Sequence, residues 1–85
     1  MLKDSVAGTL ESNDVLVEIA HNDNGRLINL DSPVKAMFED DILKVVNEVL
    51  DDFNITDIKV NLKDQGALDY AIAARLRTAL KRGLQ

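Results

Sequence analysis

Cysteine is absent from the 85 residues, and so is tryptophan; there is one tyrosine, one histidine, one proline and two phenylalanines. Without cysteine there can be no disulfides, no thiolate metal ligands and no cysteine nucleophile. With so few aromatics, the core has to be built from Val, Leu, Ile and Ala. No segment approaches the roughly 18 consecutive apolar residues of a membrane span. The opening MLKDSVAGTLESND has no apolar run long enough for a signal peptide, so a cytoplasmic location is expected. Neither a GxGxxG nor a GxxxxGK phosphate loop occurs.

What is present suits one small domain spanning residues 1–85. Hydrophobic residues make up 46% of the chain, enough for a packed core and too many for global disorder. The net charge is −5, and like-charge repulsion argues against nucleic acid as the main partner. The charge is also uneven. Residues 31–57 are acidic (Asp31, Glu39, Asp40, Asp41, Glu48, Asp51, Asp52 and Asp57), whereas Arg75, Arg77, Lys81 and Arg82 make the C-terminal end basic. These are either two solvated helix faces or fields that dock partner subunits.

Val15, Val17 and Ile19 alternate with Glu18, predicting a strand over 14–21. Asn22-Asp23-Asn24-Gly25 is a strong turn, and 26–31 reads as a second strand with Ile28 and Leu30 inward, so the two are expected to form a hairpin. Ser32 as cap and Pro33 at the first helical position open a helix near 33–53. Its apolar stripe is Val34, Met37, Phe38, Ile42, Val45, Val46, Val49, Leu50 and Phe53, and Asn54 is its stop. Residues 57–63 alternate again as a strand with one wet face. Asp64 is placed to cap a last helix near 66–82, buried through Leu68, Ala71, Ile72, Leu76, Ala79 and Leu80. The expected fold is α+β, a two-layer sandwich. A small, mostly antiparallel sheet carries both helices on one face, in the order β(β)βαβα; the bracket is a possible strand within 6–11.

Few groups could do chemistry. His21 lies beside a turn, where a lone histidine is usually a surface residue rather than a catalytic one. Glu39-Asp40-Asp41 and Asp51-Asp52 resemble metal ligands only in composition, because neighbours on a helix point in different directions. No serine can be paired with a base, so no catalytic residue is assigned and the chain is not expected to be an enzyme on its own. A serine can still be a passive attachment point, for which exposure is what matters. Three are candidates: Ser5 in DSV, Ser12 in ESND and Ser32 in DSP. Ordinary acyl carrier proteins bear phosphopantetheine on the serine of a D-S-L stretch that opens an acidic helix. Asp31-Ser32-Pro33 is a near miss, with proline in place of leucine and strands where that family is helical.

VAGTLESNDVLVEIA, residues 6–20, resembles the N-terminal stretch of the citrate lyase acyl carrier protein (gamma subunit) family. VNLKDQGALDYAIAARLRTAL, residues 60–80, is similar to that family's closing strand and helix, where D-x-GAL-[DE] leads into an R-A-R-like helix; here these are Asp64, Gly66-Ala67-Leu68-Asp69 and Ala74-Arg75. The middle, residues 22–57, matches in pattern only. The resemblance implies that Ser12 carries phosphoribosyl-dephospho-coenzyme A through a phosphodiester. The thiol of that arm would bear acetyl or citryl thioesters, in keeping with a chain that has no sulfur nucleophile of its own. The implied partners are an alpha subunit that exchanges acetyl for citrate, a beta subunit that cleaves the citryl thioester to oxaloacetate, and a prosthetic-group transferase that reads Glu11, Asn13 and Asp14. No metal is implied. Three alternatives stand beside this reading: the carrier subunit of malonate decarboxylase; an ordinary phosphopantetheine carrier modified at Ser32, which requires a mostly helical chain; and a small α+β interaction module with no cofactor.

Overall fold

The computed structural model describes residues 2–33 and 35–85. In chain order the elements are β1 (Ser5–Gly8), β2 (Val15–Ala20), β3 (Arg26–Asp31), α1 (Lys35–Asp52), β4 (Ile58–Asp64) and α2 (Asp69–Gly83). The expected α+β sandwich is found, and the bracketed strand exists as β1. The sheet order is β1-β2-β4-β3. The β1/β2 and β2/β4 pairings are antiparallel and β3/β4 is parallel.

That order corrects one expectation: β2 and β3 are not a hairpin, because β4 lies between them. The physical reason is visible in β4. Ile58, Val60 and Leu62 are all fully buried, as only a central strand allows. The Asn22–Gly25 turn is real but wraps the start of that strand. Asn22 Nδ2 donates to the Gly25 carbonyl at 2.9 Å, Gly25 N–H donates to Asp57 Oδ1 at 3.0 Å, and Ile58 N–H returns to the Gly25 carbonyl at 3.2 Å. The parallel β3/β4 pair then needs a long crossover, which α1 provides. The true hairpin is β1–β2, closed by residues 9–14.

Register sets one face of the sheet against the helices. Val15, Val17, Ile19, Ile58, Val60 and Leu62 are buried on it, while Ile28 and Leu30 on edge strand β3 are half-buried against the core. Helix α2 covers β1 and β2, and α1 covers β3 and packs on α2. Ile42, Val46, Val49 and Leu50 of α1, with Ile72, Leu76, Ala79 and Leu80 of α2, fill the space between. Each of the Val, Leu and Ile side chains among these contributes about 1.5–3 kcal/mol of hydrophobic free energy. Helix α1 ends as the sequence predicts. Asn54 takes φ 55°, its N–H donates to Asp51 O at 3.0 Å, and Ile55 N–H donates to Leu50 O at 3.0 Å, a Schellman stop.

Three apolar residues expected in the core are exposed instead. Met37, Phe38 and Leu68 stand at the surface, and Phe38 and Leu68 line a groove of about 690 Å³ with Ile42, Ala67 and Tyr70. Val34 of the expected stripe lies outside the described residues. Asp64 does not cap α2, which begins at Asp69 with no side-chain cap. The carboxylate is buried and braces the turn before the helix, accepting from Ala67 N–H at 2.8 Å and from Ser32 Oγ–H at 2.7 Å. The sheet excludes the mostly helical chain that the Ser32 alternative requires.

Candidate functional site

The β1–β2 loop begins at Gly8, whose φ of 94° is available to glycine without strain; a Cβ there would run into the Val15 carbonyl oxygen. Thr9 follows and works twice. Its hydroxyl donates to Asp14 Oδ2 at 2.6 Å and accepts the Glu11 N–H at 3.1 Å. Residues 11–14 then form a β-turn, with Asp14 N–H donating to Glu11 O at 3.1 Å. Asn13, at φ 65°, takes the third position of this turn, where a type II turn needs a positive φ. Ser12 takes the second position. It is exposed, and its hydroxyl makes no hydrogen bond among the described residues.

The turn is pinned on both sides. Asn13 N–H donates to Gln65 O at 2.7 Å, and Gln65 N–H donates to Asp14 O at 2.8 Å, so the β2/β4 ladder continues into the loop. Asp14 is held from α2: Arg75 Nε donates to Oδ1 at 3.1 Å and Nη2 to Oδ2 at 2.8 Å, a bidentate pair. Val15 N–H adds a bond to Oδ1 at 2.8 Å. The Arg75 guanidinium, then the Thr9 hydroxyl, then the Val15 amide hold the Asp14 carboxyl well below the usual carboxylate range, against a smaller opposing effect of desolvation. The same pair pushes the Arg75 guanidinium up.

Asp14 therefore offers no free charge to a neighbouring phosphate. Glu11 and Asn13 remain as the exposed residues flanking Ser12. The sequence marks Asp14 but does not reveal its partner, because Arg75 lies 61 positions away. The signal that could have found it is an arginine set beside the buried Ile72 and Leu76 of α2. Thr9 as the turn's internal brace was missed as well.

Beside the turn runs an open groove of about 460 Å³, lined by Ser12 and Asn13 on one side and by Tyr70, Ala71, Ala74 and Arg75 on the other. Ser5 is half-buried in β1, and the Ser32 hydroxyl faces Asp64. Of the three candidate serines, Ser12 alone combines exposure with a hydroxyl that no described residue engages. That fits covalent attachment of a bulky phosphodiester-linked group. Among the described residues, no three His, Asp or Glu side chains gather to hold a metal ion, and no helix is long and apolar enough to cross a membrane.

Comparison with known proteins points to carriers of acyl groups. A family model described as an acyl carrier protein, the malonate decarboxylase delta subunit (MdcD), matches residues 2–83. The citrate lyase acyl carrier protein of Treponema denticola is 45% identical, over 94% of this chain and 91% of its own. That of Oenococcus oeni is 43% identical over 96% and 84%, and that of Albidiferax ferrireducens 42% over 99% and 87%. With full-length relatives this close, the chain belongs to the citrate lyase acyl carrier protein family.

Proposed function

We propose that the protein is the acyl carrier subunit of a citrate lyase and that Ser12 bears its phosphoribosyl-dephospho-coenzyme A arm. In loading, the Ser12 Oγ–H bond breaks and Oγ forms an ester bond to phosphorus. The proton passes to solvent, and the activated donor held by the transferase loses its leaving group. When bound, the arm supplies a thiol that carries acetyl and citryl thioesters. The chain's own part is to hold the attachment point outside the fold, so that the arm reaches an acyl-exchanging alpha subunit and a citryl-cleaving beta subunit at high effective concentration. In the cleavage of citrate it lends no acid, base or nucleophile of its own, and so acts as a carrier rather than an enzyme. This reading places it in the cytoplasm with those subunits.

The observation that supports the reading is the free Ser12 hydroxyl at the apex of a turn fixed by Asp14, Arg75 and Gln65. A reading as the malonate decarboxylase carrier is favoured by the description of the matching family model, and reconstitution with either set of partner subunits separates the two. The experiment is intact mass and peptide mapping of the protein after co-expression with the transferase. The adduct should map to Ser12. Ser12→Ala should keep its fold, within about 0.5 kcal/mol of the wild type, take up no adduct and leave the reconstituted complex unable to cleave citrate. An adduct on Ser32, or wild-type loading of Ser12→Ala, would refute the site.

A further inference from the structure

We propose that the groove between the Ser12 turn and α2 is a docking place for the nucleoside end of the arm, with the adenine stacked on Tyr70. The proposal rests on the reading of Ser12 as the attachment site. Tyr70 stands in the first turn of α2 with 74% of its surface exposed, unusual for a large aromatic side chain. It lines the same groove as Ser12, together with Ala71 and Ala74, whose small side chains take up little of that space. Base–aromatic stacking suits such a platform.

Arg75 adds a second contact. Its Nε and Nη2 are committed to Asp14, which fixes the guanidinium plane, while Nη1 makes no hydrogen bond among the described residues. Nη1 is therefore an oriented donor at the groove for a phosphate oxygen. Because Asp14 offsets much of the arginine's charge, the stack on Tyr70 carries more of the hold than the phosphate contact. In a phosphoribosyl-dephospho-coenzyme A arm the nucleoside lies at the serine end and the thiol at the far end. Docking the nucleoside shortens the swinging part and leaves the pantetheine and its thioester free. Tethering supplies an effective concentration in the millimolar range for short flexible links, so a weak site is enough.

The chain has one tyrosine and no tryptophan, so its intrinsic fluorescence reports on Tyr70 alone. Modified and unmodified protein are compared, the modification being verified by intact mass. Stacking should quench the tyrosine emission about twofold or more and shield the ring from a soluble quencher. Ala74→Glu, at an exposed helix position in the groove, should recover the unmodified emission in protein whose adduct at Ser12 is verified by intact mass. Equal emission from the two forms with the adduct confirmed, or quenching that persists in Ala74→Glu, overturns the proposal. If no adduct forms, the reading of Ser12 fails, and a titration of the unmodified protein with free dephospho-coenzyme A decides the groove by itself. Amide shifts centred on Tyr70, Ala71 and Ala74 support it; no shifts at millimolar nucleotide overturn it.

Discussion

At the scale of single residues, the shape of the Ser12 turn depends on its neighbours. Gly8 is one. Any side chain there meets both a positive φ and the Val15 carbonyl, so Gly8→Ala should cost at least about 2 kcal/mol in chemical denaturation. Loading of Ser12 should fall with it as the turn shifts. Asp14 is the other. Its carboxyl is held low in the folded state by Arg75 and Thr9, so its charged form favours folding. The contribution is fully present above the unfolded-state pKa of about 4 and is lost as pH falls through the lower folded-state value. Asp14→Asn should therefore be less stable than the wild type at neutral pH, and the two should converge as the pH is taken well below about 4. Urea midpoints measured across that range give the comparison, and a gap that stays constant with pH would refute the assignment.

At the scale of elements, each helix is anchored by a short row of fully buried residues. Val46 is the middle of that row on α1, packed where α1 meets α2 and the sheet. Val46→Ala should open a cavity and cost roughly 1–3 kcal/mol, read from the denaturation midpoint at unchanged slope. Period alone was enough to reveal these elements. Val15, Val17 and Ile19 alternate, Ile42 to Leu50 recur at helical spacing, and Asn54 carries the positive φ that ends α1. The pairing of strands was not legible. Asn22-Asp23-Asn24-Gly25 has the chemistry of a hairpin turn, yet it steps over β4, because local turn propensity does not specify which strand fills the gap. That choice is made by burial of Ile58, Val60 and Leu62, a tertiary effect. The exposed Phe38 and Leu68 were misread for a related reason: helical spacing identifies a stripe but not where the opposing surface ends. Ser12 was legible as a candidate from its motif. The Arg75 clamp on Asp14 and the Tyr70 groove were not, since both join segments far apart in the chain.

At the scale of the whole molecule, charge is segregated. Asp40, Asp41, Glu48, Asp51 and Asp52 are exposed along α1, while Arg77, Lys81 and Arg82 are exposed towards the end of α2. Little of this is spent inside the fold. Arg77 reaches Asp52 at 3.9 Å, Arg82 Nη1 donates to the Val6 carbonyl at 2.9 Å, and Arg26 binds Asp51 at 2.8 Å. Asp40, Asp41 and Glu48 make no ion pair among the described residues, so their field extends into solvent over about 8–10 Å at ordinary ionic strength. On the proposed function the carrier meets more than one partner subunit in turn and leaves each again. Long-range attraction speeds encounter without a large buried interface that would slow departure. If the α1 face guides docking, raising salt from about 50 mM to 500 mM should lower the association rate with the citrate lyase subunits roughly tenfold while changing dissociation much less. Asp40→Lys combined with Glu48→Lys should remove most of that salt dependence and slow association at low salt, with urea midpoint and Ser12 loading unchanged. Stopped-flow association rates measure both effects. Rates that ignore salt in the wild type would leave the acidic face as a determinant of solubility alone.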